Sequence, residues 1–379
     1  MKVVILGAGQ IGVPMAIDLS REEEFSVTVV DNNHSALSRL KDQPNVKTLY
    51  QDLSFPNIVF ETVEKHDLVI NAVPGYMGFH TLESILQAGK NIVDITFFAE
   101  DPLLLDELAK NQGVTAVVDC GVAPGMSNIL TGYVHHFLDR TDRVRIYVGG
   151  LPRVREWPYQ YKAAFSPFDV IEEYTRPAKY RVNGQLMTQP ALSGREYLSF
   201  PGLGTLEAFN SDGLRTLLRT IDARQMVEKT LRYPGHAELM SILRETGFFS
   251  KKEIEISGTR IRPLDVTSRL LFPQWKMNPE DQDITVMKII IEGIKGKKKL
   301  QYLYELQDEY DPETGTHSMA RTTGYTATTA VRMLQRGMFT QKGVIPPEQL
   351  GKNPKLTQFF LTELKKKGIH YRKTVTELD

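Results

Sequence analysis

Short apolar runs alternating with amphipathic stretches dominate the first 140 residues. Val3–Leu6 is uninterrupted and rich in β-branched residues, as expected of a strand buried on both faces. It breaks into Gly7-Ala8-Gly9-Gln10-Ile11-Gly12, after which Ile11, Met15, Ala16 and Leu19 recur at helical spacing. Pro14 falls in the first helical turn, where a missing N–H costs little. A second β-branched run, Val27–Val30, ends in Asp31. The pattern predicts further strands over Val46–Tyr50, Leu68–Val73, Asn91–Ile95 and Thr115–Val118. It predicts helices over Ser35–Lys41, Ile58–Lys65, Thr81–Gln87 and Leu103–Asn111, and one ending at Leu138. This alternation implies an α/β domain with a doubly wound parallel sheet.

The rhythm changes after Arg143. Val144–Val148 alternates like a strand with one wet face, and hairpin signals outnumber βαβ units as far as about residue 320. One hairpin pairs Ile284–Ile291 with Leu300–Leu306 across the lysine-rich stretch 293–299, which is expected to be a solvated tip. Tyr159–Lys162 reads as an aromatic strand, and a small-residue helix is predicted from Thr326 to Gln335. The expected organisation is a Rossmann domain made of residues 1–121 plus 325–379. An α+β domain, residues 122–324, is inserted into it.

Composition narrows the partners. Of 379 residues, 41% are hydrophobic and 24% charged, enough for a substantial core. Forty-six basic residues balance forty-six acidic ones, which argues against nucleic acid or an anionic membrane as a partner held by bulk charge. A single cysteine excludes an internal disulfide framework and multi-cysteine metal centres, and fits a reducing compartment. No apolar run is long enough to span a bilayer or to form a secretory core, so a cytoplasmic location is expected, with no metal site.

The opening strand, glycine turn and helix suit a dinucleotide. Gly7 permits the turn, Gly9 lets backbone approach a diphosphate, and Gly12 lets helix pack on sheet, with Gln10 and Ile11 beside them. Asp31, followed by Asn32, is placed to accept hydrogen bonds from ribose hydroxyls and to repel a 2′-phosphate. No arginine follows before Arg39, so NAD is favoured over NADP. Polar or special residues recur past later strands: Asp52, Asn71 with Ala72-Val73-Pro74, Asp94 with Thr96, and Asp119. Ligands of open parallel sheets bind at these strand ends. Asp52, Asp94 and Asp119 have helix capping as the alternative role. Ser127 or Asn128 is expected to cap the following helix, and Cys120 to be a small buried residue rather than a nucleophile.

In the middle region Lys162, Arg176, Asp212, Arg215 and His236 supply arginines for a carboxylate and groups for proton handling. Asp212 and Arg215 share a face if a helix begins there. Arg176, directly before a proline, has a chain-fixing role as its alternative.

The stretches GAGQIG, NAVPG, DCGVAPGMSNIL, YVGGLP, EEYTRPA, LEAFNSDGLRT, RYPGHAE and MARTTGYTA resemble the saccharopine dehydrogenase-like family. Within it they are most similar to the NAD-dependent lysine 6-dehydrogenase branch. The resemblance covers nearly the whole chain. It implies a homodimer, with the inserted domain binding a small amino-acid substrate and serving dimerisation. It also implies oxidative deamination of the lysine ε-amine to 2-aminoadipate 6-semialdehyde, with hydride passing from C6 to the nicotinamide. On that reading Asp94 and Asp119 lie near the reacting amine, and Lys162 or His236 relays protons. Arg176 and Arg215 clamp the substrate carboxylate, with Asp212 orienting Arg215 or holding the α-amino group. Thr96 and Asn128 join the cofactor contacts. Two alternatives stand beside it: a saccharopine or carboxynorspermidine dehydrogenase acting on a secondary amine, and a nucleotide-binding protein without catalysis. In the secondary-amine case Arg181 and Arg195 are available for a second carboxylate.

Overall fold

The computed structural model describes residues 1–379. The chain divides into two compact units. The first comprises Met1–Asp139, Arg215–Ile221 and Met319–Tyr371, and the second Arg140–Leu214, Asp222–Ser318 and Arg372–Asp379.

The first unit holds six strands in chain order: β1 (Lys2–Leu6), β2 (Ser26–Asp31), β3 (Val46–Tyr50), β4 (Leu68–Asn71), β5 (Asn91–Asp94) and β6 (Thr115–Val117). A seventh, Gly343–Ile345, pairs in parallel with β6, and the spatial order is Gly343–Ile345, β6, β5, β4, β1, β2, β3. Val3–Leu6 are fully buried because helices cover both faces of the central strands. Connections diverge to opposite sides at β1 and β4, so the carboxyl ends of these strands open a crevice.

The helix Gly12–Ser20 buries Met15, Ala16 and Leu19, and also Asp18. The Asp18 carboxylate accepts from Arg332 Nη1 at 2.9 Å and Thr328 Oγ1 at 2.5 Å, and it pairs with Lys367. The helix carrying Arg332 runs from Ser318 to Gln335, eight residues longer at its start than its small-residue pattern predicts. Its buried threonines satisfy their hydroxyls on the preceding turn, Thr326 on Thr322 O and Thr329 on Tyr325 O, which lets a threonine-rich segment remain helical. Gly324 brings this helix against Met15, where an added Cβ would lie 2.9 Å from Cγ. Met126–Phe137 likewise packs within this unit: a Cβ on Gly132 would lie 2.2 Å from Glu348 O.

The second unit is built on a nine-stranded mixed sheet. Arg140–Pro152 runs parallel to Ala223–Arg232 and antiparallel to Asp283–Lys295. Asp283–Lys295 and Lys298–Glu309 form a long hairpin in which Lys295 faces Lys298. The expected seven-residue tip is therefore a two-residue turn, with Gly296 at φ +61° supplying the conformation such turns require. Lys295, Lys298 and Lys299 sit on strand ends, and Lys297 lies in the turn with Gly296. Tyr159–Lys162 is irregular rather than a strand, because Tyr161 turns inward to pack with Tyr174, Phe209, Met240 and Trp275. No helix is long and apolar enough to cross a membrane.

Candidate nucleotide site and its surroundings

The glycine turn between β1 and the helix Gly12–Ser20 is shaped by contacts that forbid side chains at two of its glycines. Gly7 has φ +112°, and a Cβ there would lie 2.5 Å from Ala72 O. At Gly12 a Cβ would lie 2.0 Å from Gly7 O, so the helix start and the strand end touch backbone to backbone. Gly9 differs: nothing lies within 4 Å of the place its Cβ would occupy. That open surface is the cradle a diphosphate needs. Gln10 Oε1 beside it is buried without a hydrogen-bond partner, as is Asn71 Oδ1 at the end of β4. Ile11 packs toward Gly324.

Asp31 ends β2. Its Oδ2 accepts from Ala8 N–H at 2.7 Å and its Oδ1 from Asn33 N–H at 2.8 Å, leaving each oxygen a free lone pair for a ribose hydroxyl. Asn32 is exposed beside it. Asp52, past β3, accepts from Ser54 N–H at 3.0 Å, and that bond holds its carboxyl below the usual range. It shapes the turn but is not the helix cap, a position taken by Phe55. Ala72-Val73-Pro74 leads from β4 into the helix Gly75–Gln87, with Val73 buried.

Asp94 and Asp119 take different parts. Asp94 is wholly buried and accepts from Asn71 Nδ2 at 2.9 Å, Thr96 N–H at 2.7 Å and Thr96 Oγ1 at 2.5 Å. Burial pushes its carboxyl up to about 7 despite these donors. The Thr96 N–H and hydroxyl thus both donate to Asp94. Asp119, with φ +49°, forms a buried ion pair with Arg215, whose Nη2 is 3.1 Å from Oδ1 and whose Nε is 3.2 Å from both oxygens. Arg215 also donates to Phe98 O at 2.5 Å. Neither aspartate caps a helix. Asn128 is buried, accepts from Gly125 N–H and Ser127 Oγ, and donates to Glu348 Oε2 at 3.1 Å. Its polar atoms are thus engaged by the protein. Cys120 is buried, and burial pushes its thiol up, which keeps it unreactive.

No helix begins at Asp212, so Asp212 and Arg215 do not share the helical face that the expected pairing needs. Arg215, in the first unit, pairs with Asp119, and in the second unit Asp212 lies 4.0 Å from Arg176 Nη1 while Glu172 lies 3.7 Å from Arg176 Nη2. Lys162 Nζ is held by Glu156 at 3.1 Å and Asp281 at 3.7 Å. His236 is buried with both ring nitrogens engaged, by the Tyr174 hydroxyl and Tyr159 O, each at 2.9 Å. Burial and then the Arg232 charge push it down to about 3, so it stays neutral and is a poor proton acceptor at pH 7. Arg181 donates to Ala223 O, and Arg195 to Leu192 O and Ala237 O.

Two polar residues that the sequence pattern passed over belong to this framework. Glu348 is fully buried, and burial raises its carboxyl. Arg39 folds back onto the glycine turn, donating from Nη2 to Ala8 O at 2.7 Å. Spacing gives no sign of Glu348; the turn signal after β2 is the only sequence cue for Arg39.

Comparison with known proteins covers nearly the whole chain. Residues 3–117 match the saccharopine dehydrogenase NADP binding domain, and residues 121–369 match the saccharopine dehydrogenase C-terminal domain. The chain is 24% identical to carboxyaminopropylagmatine dehydrogenase of Synechocystis sp., covering 99% of this chain and 98% of that protein. It is 23% identical to carboxynorspermidine synthase of Vibrio cholerae, covering 93% of each. Its fold resembles apo saccharopine dehydrogenase (L-Glu forming) from Saccharomyces cerevisiae, with a TM-score of 0.79, 19% identity and 99% of each chain covered. With a nucleotide-type glycine turn on a Rossmann sheet and family-model matches over nearly its whole length, the chain belongs to the saccharopine dehydrogenase family.

Proposed function

We propose that this chain is an NAD(P)-dependent oxidoreductase that makes or splits the secondary amine of a carboxylated substrate. The observation that carries this reading is the end-to-end likeness to carboxyaminopropylagmatine dehydrogenase, reinforced by that to carboxynorspermidine synthase. Those names describe enzymes of carboxylated polyamines, and so favour a secondary amine over free lysine, the substrate that the motifs first suggest.

In the splitting direction, hydride leaves the carbon beside the amine nitrogen and a C=N bond forms. Water adds to that carbon, the C–N bond breaks, and an aldehyde and a primary amine depart. The amine proton goes to solvent or to a protein base. The nicotinamide of a bound cofactor supplies the hydride exchange. The protein holds that cofactor through the glycine turn and Asp31. Arg176, steadied by Glu172 and Asp212, suits a substrate carboxylate, with Asp212 available to an ammonium group.

Turnover of saccharopine, carboxynorspermidine, carboxyaminopropylagmatine and lysine, each with NAD and NADP, tests the reading. One of the secondary amines is expected to exceed lysine in kcat/KM by about tenfold or more, a margin that one buried polar contact readily supplies. Lysine turning over fastest would overturn it.

A further inference from the structure

Glu228 is an acidic residue with no part in the steps above, and it lies under the turn that carries Asp212. It sits on the strand Ala223–Arg232 and is buried. One of its oxygens, Oε2, accepts from both sides of Asp212: from Ser211 Oγ at 2.7 Å and from Gly213 N–H at 3.0 Å. Ser211 Oγ also lies 2.7 Å from Thr230 Oγ1, two residues further along the same strand. Gly213 rests directly on the carboxyl group, since a Cβ there would lie 2.4 Å from Glu228 Cδ. Asp212 is thus held through its two neighbours in the chain, with its own carboxylate 4.0 Å from Arg176 Nη1.

The groups around Glu228 decide what its charge would do. The helix Pro167–Thr175 brings Glu173, which pairs with Arg232 at 2.6 Å. The turn brings Asp212, with Arg176 beyond it. The parallel strand Arg140–Pro152 sets the uncharged Ile146 opposite Glu228. Arg181, on the strand Ala178–Val182, stands opposite Met226 and donates to Ala223 O. Burial, and then the Glu173 and Asp212 charges, push the Glu228 carboxyl up to about 8 against its two donors. It therefore keeps its proton at neutral pH and leaves the positive charge of Arg176 to Asp212, Glu172 and an incoming anion. Above that value a further negative charge appears beneath Asp212 and competes with the anion for Arg176.

We propose that Glu228 is the positioning residue of the carboxylate anchor, fixing through Ser211 and Gly213 the turn that sets Asp212 against Arg176. The proposal rests on the reading of Arg176 as that anchor and not on which amine is oxidised, because every candidate substrate carries a carboxylate. Calorimetric titration of the full chain, loaded with NADH, with saccharopine, carboxyaminopropylagmatine or lysine gives affinities without turnover. Glu228→Ala strips Ser211 and Gly213 of their acceptor and is expected to weaken binding by about tenfold, the worth of one lost buried acceptor. Glu228→Gln keeps an oxygen for both donors without a charge, and is expected to bind as the wild type does at pH 7. Between pH 7 and pH 9 the wild type is expected to lose about threefold more affinity than Glu228→Gln, any ionisation of the ligand being common to both. Equal losses in the two overturn the proposal, and this comparison decides it even where Glu228→Ala does not fold. A folded Glu228→Ala with wild-type affinity overturns it as well, and so does wild-type protein that binds none of the three compounds. Lysine turning over fastest, by contrast, sinks the secondary-amine reading and leaves the role of Glu228 standing.

Discussion

Asp94 is a carboxyl group shut away from solvent and surrounded by donors from Asn71 and Thr96. With its folded-state value pushed up to about 7 from an ordinary 3.8, it keeps a proton between those limits that the unfolded chain has already released. The folded state then binds more protons than the unfolded one, so this group's contribution to stability falls as pH rises from about 4 to 7. The fall is at most about 1.4 kcal/mol per pH unit. Glu228, pushed up by burial to about 8, acts in the same sense. Urea unfolding of Asp94→Asn at pH 5 and pH 7 should show a smaller loss across that interval than the wild type. An identical loss would mean that Asp94 does not titrate there. Asp119 differs because its charge is matched. Removing it leaves the Arg215 guanidinium buried without its carboxylate, so Asp119→Ala should cost roughly 3–5 kcal/mol in stability. Asp119→Leu combined with Arg215→Met should cost less than either change alone, a non-additivity that a double-mutant cycle measures directly. For Arg176, a substrate-anchoring role predicts that Arg176→Met raises KM more than it lowers kcat, whereas equal losses in both would place it elsewhere in the reaction.

At the scale of the element, the glycine turn separates folding from binding. Gly12→Ala drives a Cβ into the Gly7 carbonyl oxygen, an overpacking expected to cost about 1–3 kcal/mol or more. Gly9→Ala meets open space, so its denaturation midpoint should stay near wild type while nucleotide affinity falls by about tenfold or more, because the new methyl occupies the phosphate cradle. Unchanged NADH affinity in Gly9→Ala would place the diphosphate elsewhere. This turn was legible in the sequence because strand, glycines and helix are contiguous, even though Asp31, Arg39 and Ala72, which brace it, lie further along the chain. The strands β3 and β5 were legible for the same reason, as β-branched runs with clear ends. The hairpin ends were not: Glu292, Gly293 and the lysines lack an apolar pattern, yet cross-strand hydrogen bonding carries the ladder to Lys295 and Lys298. The start of the helix at Ser318 was hidden by threonines whose hydroxyls find partners only once the helix exists. Arg39 and the Arg215–Asp119 pair were illegible for a different reason: they join residues that chain spacing does not relate.

In the molecule as a whole, the nucleotide unit is assembled from three separated stretches of chain. Asp18, in the first stretch, depends for its charge balance on Arg332 and Lys367 in the last. The fragment 1–139 should therefore lack a cooperative urea transition and should not bind NADH. A sharp transition with retained binding would show that the late segments are dispensable. The edge strand β6 remains unpaired on one side until Gly343–Ile345 arrives to cover it, roughly 230 residues further along the chain. At ribosomal speeds of about 5–20 residues per second, that leaves an apolar sheet edge open for on the order of ten to forty seconds during synthesis. The nascent chain thus passes through a period when Thr115–Val117 offers an unpaired template to any neighbouring strand. Folding yield in a cell should be more sensitive to elongation rate and chaperone supply than the equilibrium stability of the finished protein suggests.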